Sequence, residues 1–331
     1  MSWKIAADSS ANLTQQDGVS PVPLRIMLGD REFVDNAALD LPAFVQEMTD
    51  YKGRSTTACP GPGDWLAAFE GADTVFALTI TGALSGSCNA ARLAAEQYEK
   101  DRPGAKVYVL DTRSTGPEMR LLAERLRARL QAGDDPETVW RDARQYIERT
   151  ELLFALGSLH NLVQNGRVSR AVGAAAGLLG IRVVGRASDK GELEPLHKCR
   201  GEARALDAIV QEMADRGFRG GRVHIDHAEN EAAAQQLCHK LRLKFPGCKP
   251  TVGRCGALCS SYAERGGVLV GCETCGAPRA APLPLPAAAA PAAAAVLFRY
   301  RHPGPGRTLC PAQAPPRAFL RPCPGGICVC G

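Results

Sequence analysis

Apolar and polar positions in the first half of the chain follow two rhythms: short apolar runs of strand length, and longer stretches with helical spacing. The short runs predict strands over residues 3–8, 22–28, 74–80 and 106–111, and the longer stretches predict helices over 41–48, 63–69, 89–100 and 118–131. Another helix is predicted to start at Asp134-Asp135-Pro136-Glu137, with proline near the first turn and acids facing the positive end of the helix dipole, and to run to about residue 149. Strands alternating with helices of this length imply a mostly parallel, covered sheet.

The pattern restarts around Glu151. A strand is predicted over 152–156, then a short helix over 159–164 broken at Asn165-Gly166, then small residues from Ala171 to Gly177. Strands over 182–186 and 192–197 flank Asp189-Lys190-Gly191, and an Asp-x-Gly turn between two short runs predicts a hairpin. Helices over 203–215 and 229–244 and strands over 221–226, 249–253 and 267–272 complete the set. The chain therefore reads as two α/β domains, residues 1–151 with a mostly parallel sheet and residues 152–274 with a mixed sheet, followed by a tail over 275–331.

Composition changes sharply at that tail. It holds 12 of the 23 prolines, six arginines, no lysine and no acidic residue, and it closes on Cys323, Cys328 and Cys330. Proline this dense denies helix and ladder hydrogen bonds, so the tail is expected to be disordered. Arginine without lysine, among alanine, proline and glycine, is what GC-rich codons yield when read out of frame. The tail is read as frameshift-derived, with a genuine proline-rich partner segment as the alternative. It also distorts the net charge of +5: without its six arginines, the chain's 40 basic residues fall to 34 against 35 acids. A near-neutral body excludes a nucleic-acid-binding face, which needs clustered cations to displace counterions.

The N-terminus runs straight into a strand pattern with no signal peptide, and no stretch of 18 apolar residues occurs. Eight cysteines lie outside the tail. Together these features predict a cytoplasmic protein without membrane insertion, its cysteines mostly reduced and buried.

The chemistry is concentrated in three hydroxyl-bearing turns: Asp8-Ser9-Ser10, Ser55-Thr56-Thr57 and Leu84-Ser85-Gly86-Ser87. Parallel α/β sheets bind ligands beyond the carboxyl ends of their strands, so small hydroxyls converging there suit a single anionic head group. No metal motif, base or nucleotide loop accompanies them, and no cofactor is expected. The pattern suggests a holder rather than a catalyst. Taken one at a time, the same residues also fit plain structural roles: Thr56-Thr57 as an N-cap for the helix at 63–69, Ser85 as a cap for the next helix.

Five stretches, in this order, resemble the DegV family of bacterial fatty-acid-binding proteins. They are Asp8-Ser9-Ser10-Ala11-Asn12-Leu13; Ser55-Thr56-Thr57 running into Pro60 and Asp64-Trp65; Ile80 through Leu84-Ser85-Gly86-Ser87 to Ala90-Ala91; Leu156 through Asn165-Gly166-Arg167-Val168-Ser169; and Leu193-Glu194-Pro195 to Arg200-Gly201. The resemblance implies two α/β domains with a long-chain fatty acid in the cleft between them, presented to a separate kinase that phosphorylates the carboxylate. It implies carboxylate-binding hydroxyls at Thr57 and Ser85, supported by amides around Gly86, and kinase-facing arginines at Arg167 and Arg200. Residues 171–179 and 152–156 are expected to wall the acyl tunnel. The family's usual histidine followed by Gly-Pro-Gly is missing from the stretch read as its counterpart, Gly253-Arg254-Cys255-Gly256-Ala257-Leu258, so a third head-group contact is expected from Arg254 or Cys255 if one exists. The usual glutamine and serine of the Thr57 turn look replaced by Cys59 and Gly61.

Two rival classes remain. A serine-dependent lipid or ester hydrolase would use Ser85, but Gly82-Ala83-Leu84-Ser85-Gly86 lacks the Gly-x-Ser-x-Gly elbow and no histidine carries a signature. A zinc-stabilised module would use Cys255, Cys259, Cys272 and Cys275, whose spacing approximates a four-thiolate site. Limited proteolysis is expected to trim the chain back to near Glu273; a verified reading frame together with a protease-protected tail would overturn the frameshift reading.

Overall fold

The structure, a computed structural model, describes residues 2–169, 173 and 180–274. The expectations for 275–331 and Cys275 therefore lie outside the described residues, as does nearly all of the wall expected at 171–179.

Strand β1 (Trp3–Asp8) is followed by β2 (Ser20–Val22), β3 (Arg25–Leu28) and β4 (Arg31–Val34). What the apolar pattern joins into one strand over 22–28 is two, because Pro23 breaks the ladder and the Leu24 amide donates to Ser9 Oγ instead, at 3.0 Å. Helix α1 (Leu41–Asp50) starts at Asp40, whose carboxylate accepts from the Ala43 amide at 3.1 Å. Next comes β5 (Ser55–Ala58), so the hydroxyl-rich Ser55-Thr56-Thr57 is a strand and not a turn. It pairs antiparallel with β3, placing Thr57 opposite Ile26, and completes a three-stranded sheet in the order β4-β3-β5. Helix α2 (Pro62–Phe69) is capped locally, the Gly61 amide donating to Asp64 at 2.8 Å, so Thr57 is not its cap.

β6 (Thr74–Thr79), α3 (Ser87–Asp101), β7 (Lys106–Asp111), α4 (Pro117–Gln131) and α5 (Pro136–Ile147) complete the first half. A parallel sheet runs β2-β1-β6-β7. Every residue of β6 is buried, as a central strand covered on both faces demands. Its side chains alternate: Val75 and Ala77 pack with Trp65, Phe69 and Ala94, whereas Phe76 and Leu78 pack with Met119, Leu121 and Leu126.

The second half contains β8 (Thr150–Leu156), α6 (His160–Gln164), β9 (Ile181–Ala187), β10 (Leu193–Arg200), α7 (Glu202–Asp215), β11 (Gly221–His227), α8 (Glu231–Lys244), β12 (Cys248–Arg254), α9 (Ala257–Ala263) and β13 (Val268–Glu273). Its six-stranded sheet runs β10-β9-β8-β13-β11-β12. Only β11 and β12 are parallel neighbours; the predicted hairpin is β9–β10, and the sheet is mixed. Helices α7 and α8 cover one face, with Leu206, Ile209, Met213 and Leu237 on Val223 and Ile225. On the other face, Leu152, Phe154, Leu156 and Leu269 pack toward α6 and α9.

The two sheets are joined through α4, whose first turn lies on β13. A Cβ added at Gly271 would stand 2.4 Å from the Glu118 amide nitrogen and 2.5 Å from the Pro117 carbonyl carbon, both backbone atoms. Gly271→Ala is therefore expected to cost roughly 1–3 kcal/mol, the range for forcing atoms into a packed interior. A urea unfolding midpoint unchanged from wild type would show that α4 can yield.

Candidate functional site

β1 ends on Asp8, only 1% exposed, and its carboxylate must find donors there. It accepts from Ser10 Oγ at 2.5 Å, Ser87 Oγ at 2.6 Å and the Ile80 amide at 2.9 Å. Burial pushes Asp8 up to about 6, with these donors pulling the other way. The three bonds tie the end of β6 and the first residue of α3 to the end of β1, and so hold the intervening loop in one shape. Within that loop, Ser85 Oγ accepts from the Ser87 amide at 3.2 Å, and Gly86 precedes the helix with an N–H that meets no acceptor among the described residues.

The opposite wall comes from α9. Its first amides, on Ala257 and Leu258, donate to the buried Asp35 carboxylate at 2.9 and 3.1 Å, a negative charge placed at the positive helix end. Burial raises Asp35 as well, against these bonds. The Gly256 amide donates to Asn12 Oδ1 at 2.8 Å, and Asn12 Nδ2 donates to Asp226 Oδ2 at 2.7 Å. Asn12 adopts a left-handed conformation, φ 54°, that asparagine tolerates better than most residues. Held at this end, α9 brings the Tyr262 hydroxyl to 2.7 Å from Thr57 Oγ1, and either oxygen can be the donor.

Between these walls lies a cavity of about 330 Å³. Its polar lining is Thr57, Ser85, Gly86, Thr115, Arg167 and Tyr262. Leu152, Phe154 and Leu156 of β8 line it, with Leu162, Leu193 and Leu269 nearby. Among the described residues, no aspartate, glutamate, lysine or histidine lines it. The strand carrying Thr57 and the loop carrying Ser85 meet: Cys59 Sγ would stand 3.1 Å from a Cβ placed on Gly86. Arg167 is half-buried at the rim, donating from Nε to the Leu84 carbonyl at 3.1 Å and from Nη1 to the Asn165 carbonyl at 2.5 Å.

Thr57, Ser85, Gly86 and Arg167 thus line one cavity. Arg200, exposed at the end of β10, does not reach it. Neither Arg254 nor Cys255 lines it, correcting the expectation of a third head-group contact there. β12 continues through Arg254, whose exposed side chain pairs with Glu229, and Cys255 is buried with its amide on the His227 carbonyl at 3.0 Å. Tyr262, on the helix that follows, lines the cavity instead. The spacing Leu258, Tyr262 marks one face of a helix, but the stretch is too short to announce its target.

The rival chemistries find little support at the site. Ser85 has no histidine beside it within the cavity. Burial pushes the Cys259 thiol up to about 12 and Cys255 well above its ordinary value. Among the described residues, no three His, Cys, Asp or Glu side chains gather as a metal site. No helix there is long and apolar enough to cross a membrane.

The sequence matches the model of the DegV family, described as uncharacterised proteins, over residues 2–273. A DegV domain-containing protein of Streptococcus pneumoniae, spr0652, is 42% identical over 279 residues, which cover 82% of this chain and 99% of that protein. A DegV family protein from Eubacterium eligens, loaded with heptadecanoic acid, superposes with a TM-score of 0.80 at 40% identity, covering 82% of this chain and 99% of that one. The Streptococcus pneumoniae Fatty Acid Kinase (Fak) B3 protein, loaded with linoleic acid, gives a TM-score of 0.80 at 42% identity with the same coverage.

One pH dependence arises from the burial of Asp226. Burial lifts Asp226 from its ordinary 3.8 to about 6, with Asn12 and the charge of Arg120 opposing. The folded state holds this proton more tightly than the unfolded chain does. The contribution is therefore greatest below about pH 4 and is lost as pH rises toward about 6. Relative to Asp226→Asn, wild type is expected to lose on the order of 3 kcal/mol across that window and nothing further above it. Urea titrations at a series of pH values test this, and parallel pH profiles for the two proteins would overturn it.

Proposed function

The chain belongs to the DegV family, and on that premise we propose that it binds a long-chain fatty acid in this cavity, holds the carboxylate through Thr57 and Ser85, and presents it to a separate fatty acid kinase. The observation that carries this reading is the composition of the lining: mostly apolar side chains, hydroxyls of Thr57, Ser85 and Tyr262, the Gly86 amide, and no aspartate, glutamate, lysine or histidine among the described residues. The relatives loaded with heptadecanoic and linoleic acids support the ligand class, and the kinase-named relative supports the partner.

Burying a C16 chain at about 0.8 kcal/mol per methylene offers an upper limit of roughly 12 kcal/mol before binding costs. The carboxylate opposes this, because leaving it unpaired in an apolar site is costly. A hydrogen bond to a charged acceptor returns about 1.5–3 kcal/mol, so two or three neutral donors offset most of the penalty. The Thr57–Tyr262 pair is ready for that task. One of its hydroxyl hydrogens is spent on the pair itself, and the other is free to be donated to a carboxylate. Ser85 Oγ and the Gly86 amide add donors from the other wall, the amide with the positive end of the α3 dipole behind it.

Neutral donors also suit phosphoryl transfer to the bound acid. A bidentate arginine would clamp both oxygens. Hydroxyls leave one oxygen able to attack the terminal phosphorus of a kinase-held nucleotide, forming the carboxyl–phosphorus bond as the bond to the departing nucleoside diphosphate breaks. The protein itself supplies no catalytic group in this scheme; it carries and positions substrate. A cytoplasmic location is part of the same proposal, since a nucleotide-using kinase would be its partner. Arg167, at the rim, and Arg200, exposed on the β10 edge, are proposed to face the kinase.

Thr57→Ala combined with Ser85→Ala is expected to weaken palmitate binding to the delipidated protein by at least about 100-fold, from two lost bonds of this kind. Calorimetry and native mass spectrometry of co-purified lipid measure it, alongside a thermal melt to show that the variant folds. Tyr262→Phe is expected to cost about tenfold or more in the same titration. Unchanged affinity in the double variant would sink the head-group assignment, and protein that never carries fatty acid would sink the ligand class.

A further inference from the structure

Asp8 is buried and titratable, and it bonds directly to the segment that carries the head-group donors. Its Oδ2 accepts from the amide of Ile80, a lining residue, and from the hydroxyl of Ser87, which follows the lining residues Ser85 and Gly86. The Ser87 amide in turn donates to Ser85 Oγ at 3.2 Å, which leaves the Ser85 hydrogen to be donated elsewhere. Asp8, Ser10 and Ser87 are at most 1% exposed, so bulk water does little to screen charges here. The groups that bond Asp8 are all neutral. From α3, Cys88 faces it, with a thiol raised by burial, Asp111 and Asp8 and lowered by Thr79 and Arg92. From α4 comes Met119, by way of Ser10, and Asp35 bonds the neighbouring Ser9. A ligand carboxylate at Ser85 would bring a second negative charge to this poorly solvated corner. Two carboxylates so placed do not both stay ionised.

We propose that fatty-acid binding is coupled to proton uptake at Asp8, a positioning residue that becomes neutral in the complex and so lets the bound carboxylate keep its charge. The inference rests on the fatty-acid reading above and deepens it. The bonds around Asp8 indicate where the proton goes. Oδ2 is committed to the Ile80 amide, which can only donate, whereas Oδ1 faces the Ser10 hydroxyl at 2.5 Å. Ser10 Oγ also lies 3.3 Å from Met119 Sδ. With the proton on Oδ1, Asp8 donates to Ser10 Oγ, and Ser10 turns its own hydrogen toward the Met119 sulfur, a weak acceptor. The bonds from Ile80 and Ser87 to Oδ2 survive, so the Ser85 loop keeps its shape in both protonation states. Asp8 rather than the ligand takes the proton for two reasons. Burial already lifts Asp8 to about 6, above an ordinary carboxyl. The ligand, by contrast, gains donors from Thr57, Ser85 and Gly86 that favour its ionised form. The bound acid thus remains the anion that attack on phosphorus requires.

The test compares the delipidated full chain with Asp8→Asn, whose side chain mimics protonated Asp8: its oxygen accepts from Ile80 and Ser87, and its nitrogen donates to Ser10. Palmitate affinity is measured for both by competition with a fluorescent fatty acid, from about pH 5.5 to about pH 8.5. The ratio of the two affinities cancels the ligand's own titration. Below about pH 6 wild type holds the proton before binding, and the two proteins are expected to bind alike. As pH rises, wild type must draw the proton from solution. Its affinity is expected to fall about tenfold below that of the variant by about pH 8.5, the factor for two unit charges roughly 10 Å apart at an effective dielectric constant of about 20. Calorimetry of wild type at about pH 7, in two buffers of different ionisation enthalpy, is expected to count about half a proton taken up per palmitate, and decides the matter even if the variant fails to fold. A ratio that stays flat with pH, a variant that binds more weakly throughout, or wild-type binding without proton uptake overturns the coupling while palmitate binding stands. Failure of wild type to bind palmitate at all would sink the fatty-acid reading, and the coupling with it.

Discussion

A carboxylate withdrawn from water must be surrounded by donors or it unfolds what surrounds it. Asp8, Asp35 and Asp226 all meet that demand with groups from distant parts of the chain. Asp8 gathers Ser10, Ile80 and Ser87; Asp35 gathers the first amides of α9; Asp226 takes the Asn12 amide, whose oxygen in turn holds Gly256. Most of these bonds are local in space and remote in sequence. The loop bearing Ser85 and the helix bearing Tyr262 are positioned by these carboxylates before any ligand is considered.

The division of labour between charges and hydroxyls follows from this arrangement. Buried acids do structural work away from the cavity, and arginines such as Arg25, Arg113, Arg125 and Arg182 pair with carboxylates on the surface or at half-buried seams. The cavity itself keeps only neutral donors and one rim cation. Under the proposed function, such a site would stabilise a carboxylate without neutralising it, as a carrier that hands its ligand on requires. Apart from that rim arginine and the tyrosine and cysteine side chains, no titratable group lines this cavity among the described residues.

Periodicity made much of the framework legible. The strands at Trp3–Asp8 and Lys106–Asp111 end where the apolar pattern ends, since buried parallel strands consist of little besides apolar residues. The small antiparallel sheet was not legible. β5 reads Ser-Thr-Thr-Ala, with no apolar alternation to betray a strand, and β4 reads Arg-Glu-Phe-Val. Both are strands because β3 lies between them and α1 covers the sheet with Phe44, Val45 and Met48, a burial supplied from outside the segment. The placement of Arg254 and Cys255 outside the cavity has a similar origin. Arg254 and Cys255 look eligible by position, yet the first ends an edge strand facing solvent and the second turns into the core, while the turn at Gly256 starts the helix that delivers Tyr262.

The amino-acid sequence by itself determined the two α/β halves, the mixed character of the second sheet, and the hydroxyl-bearing segments at Thr57 and Ser85. These features are written in the spacing of neighbouring residues, where side-chain periodicity and turn chemistry act. Only the tertiary structure decided which polar groups share the cavity: Thr57 meets Tyr262 across 205 residues of chain, and Arg54 joins Arg167 around a second cavity. No local pattern encodes such meetings, because they depend on where packed elements come to rest once the buried carboxylates have found their donors.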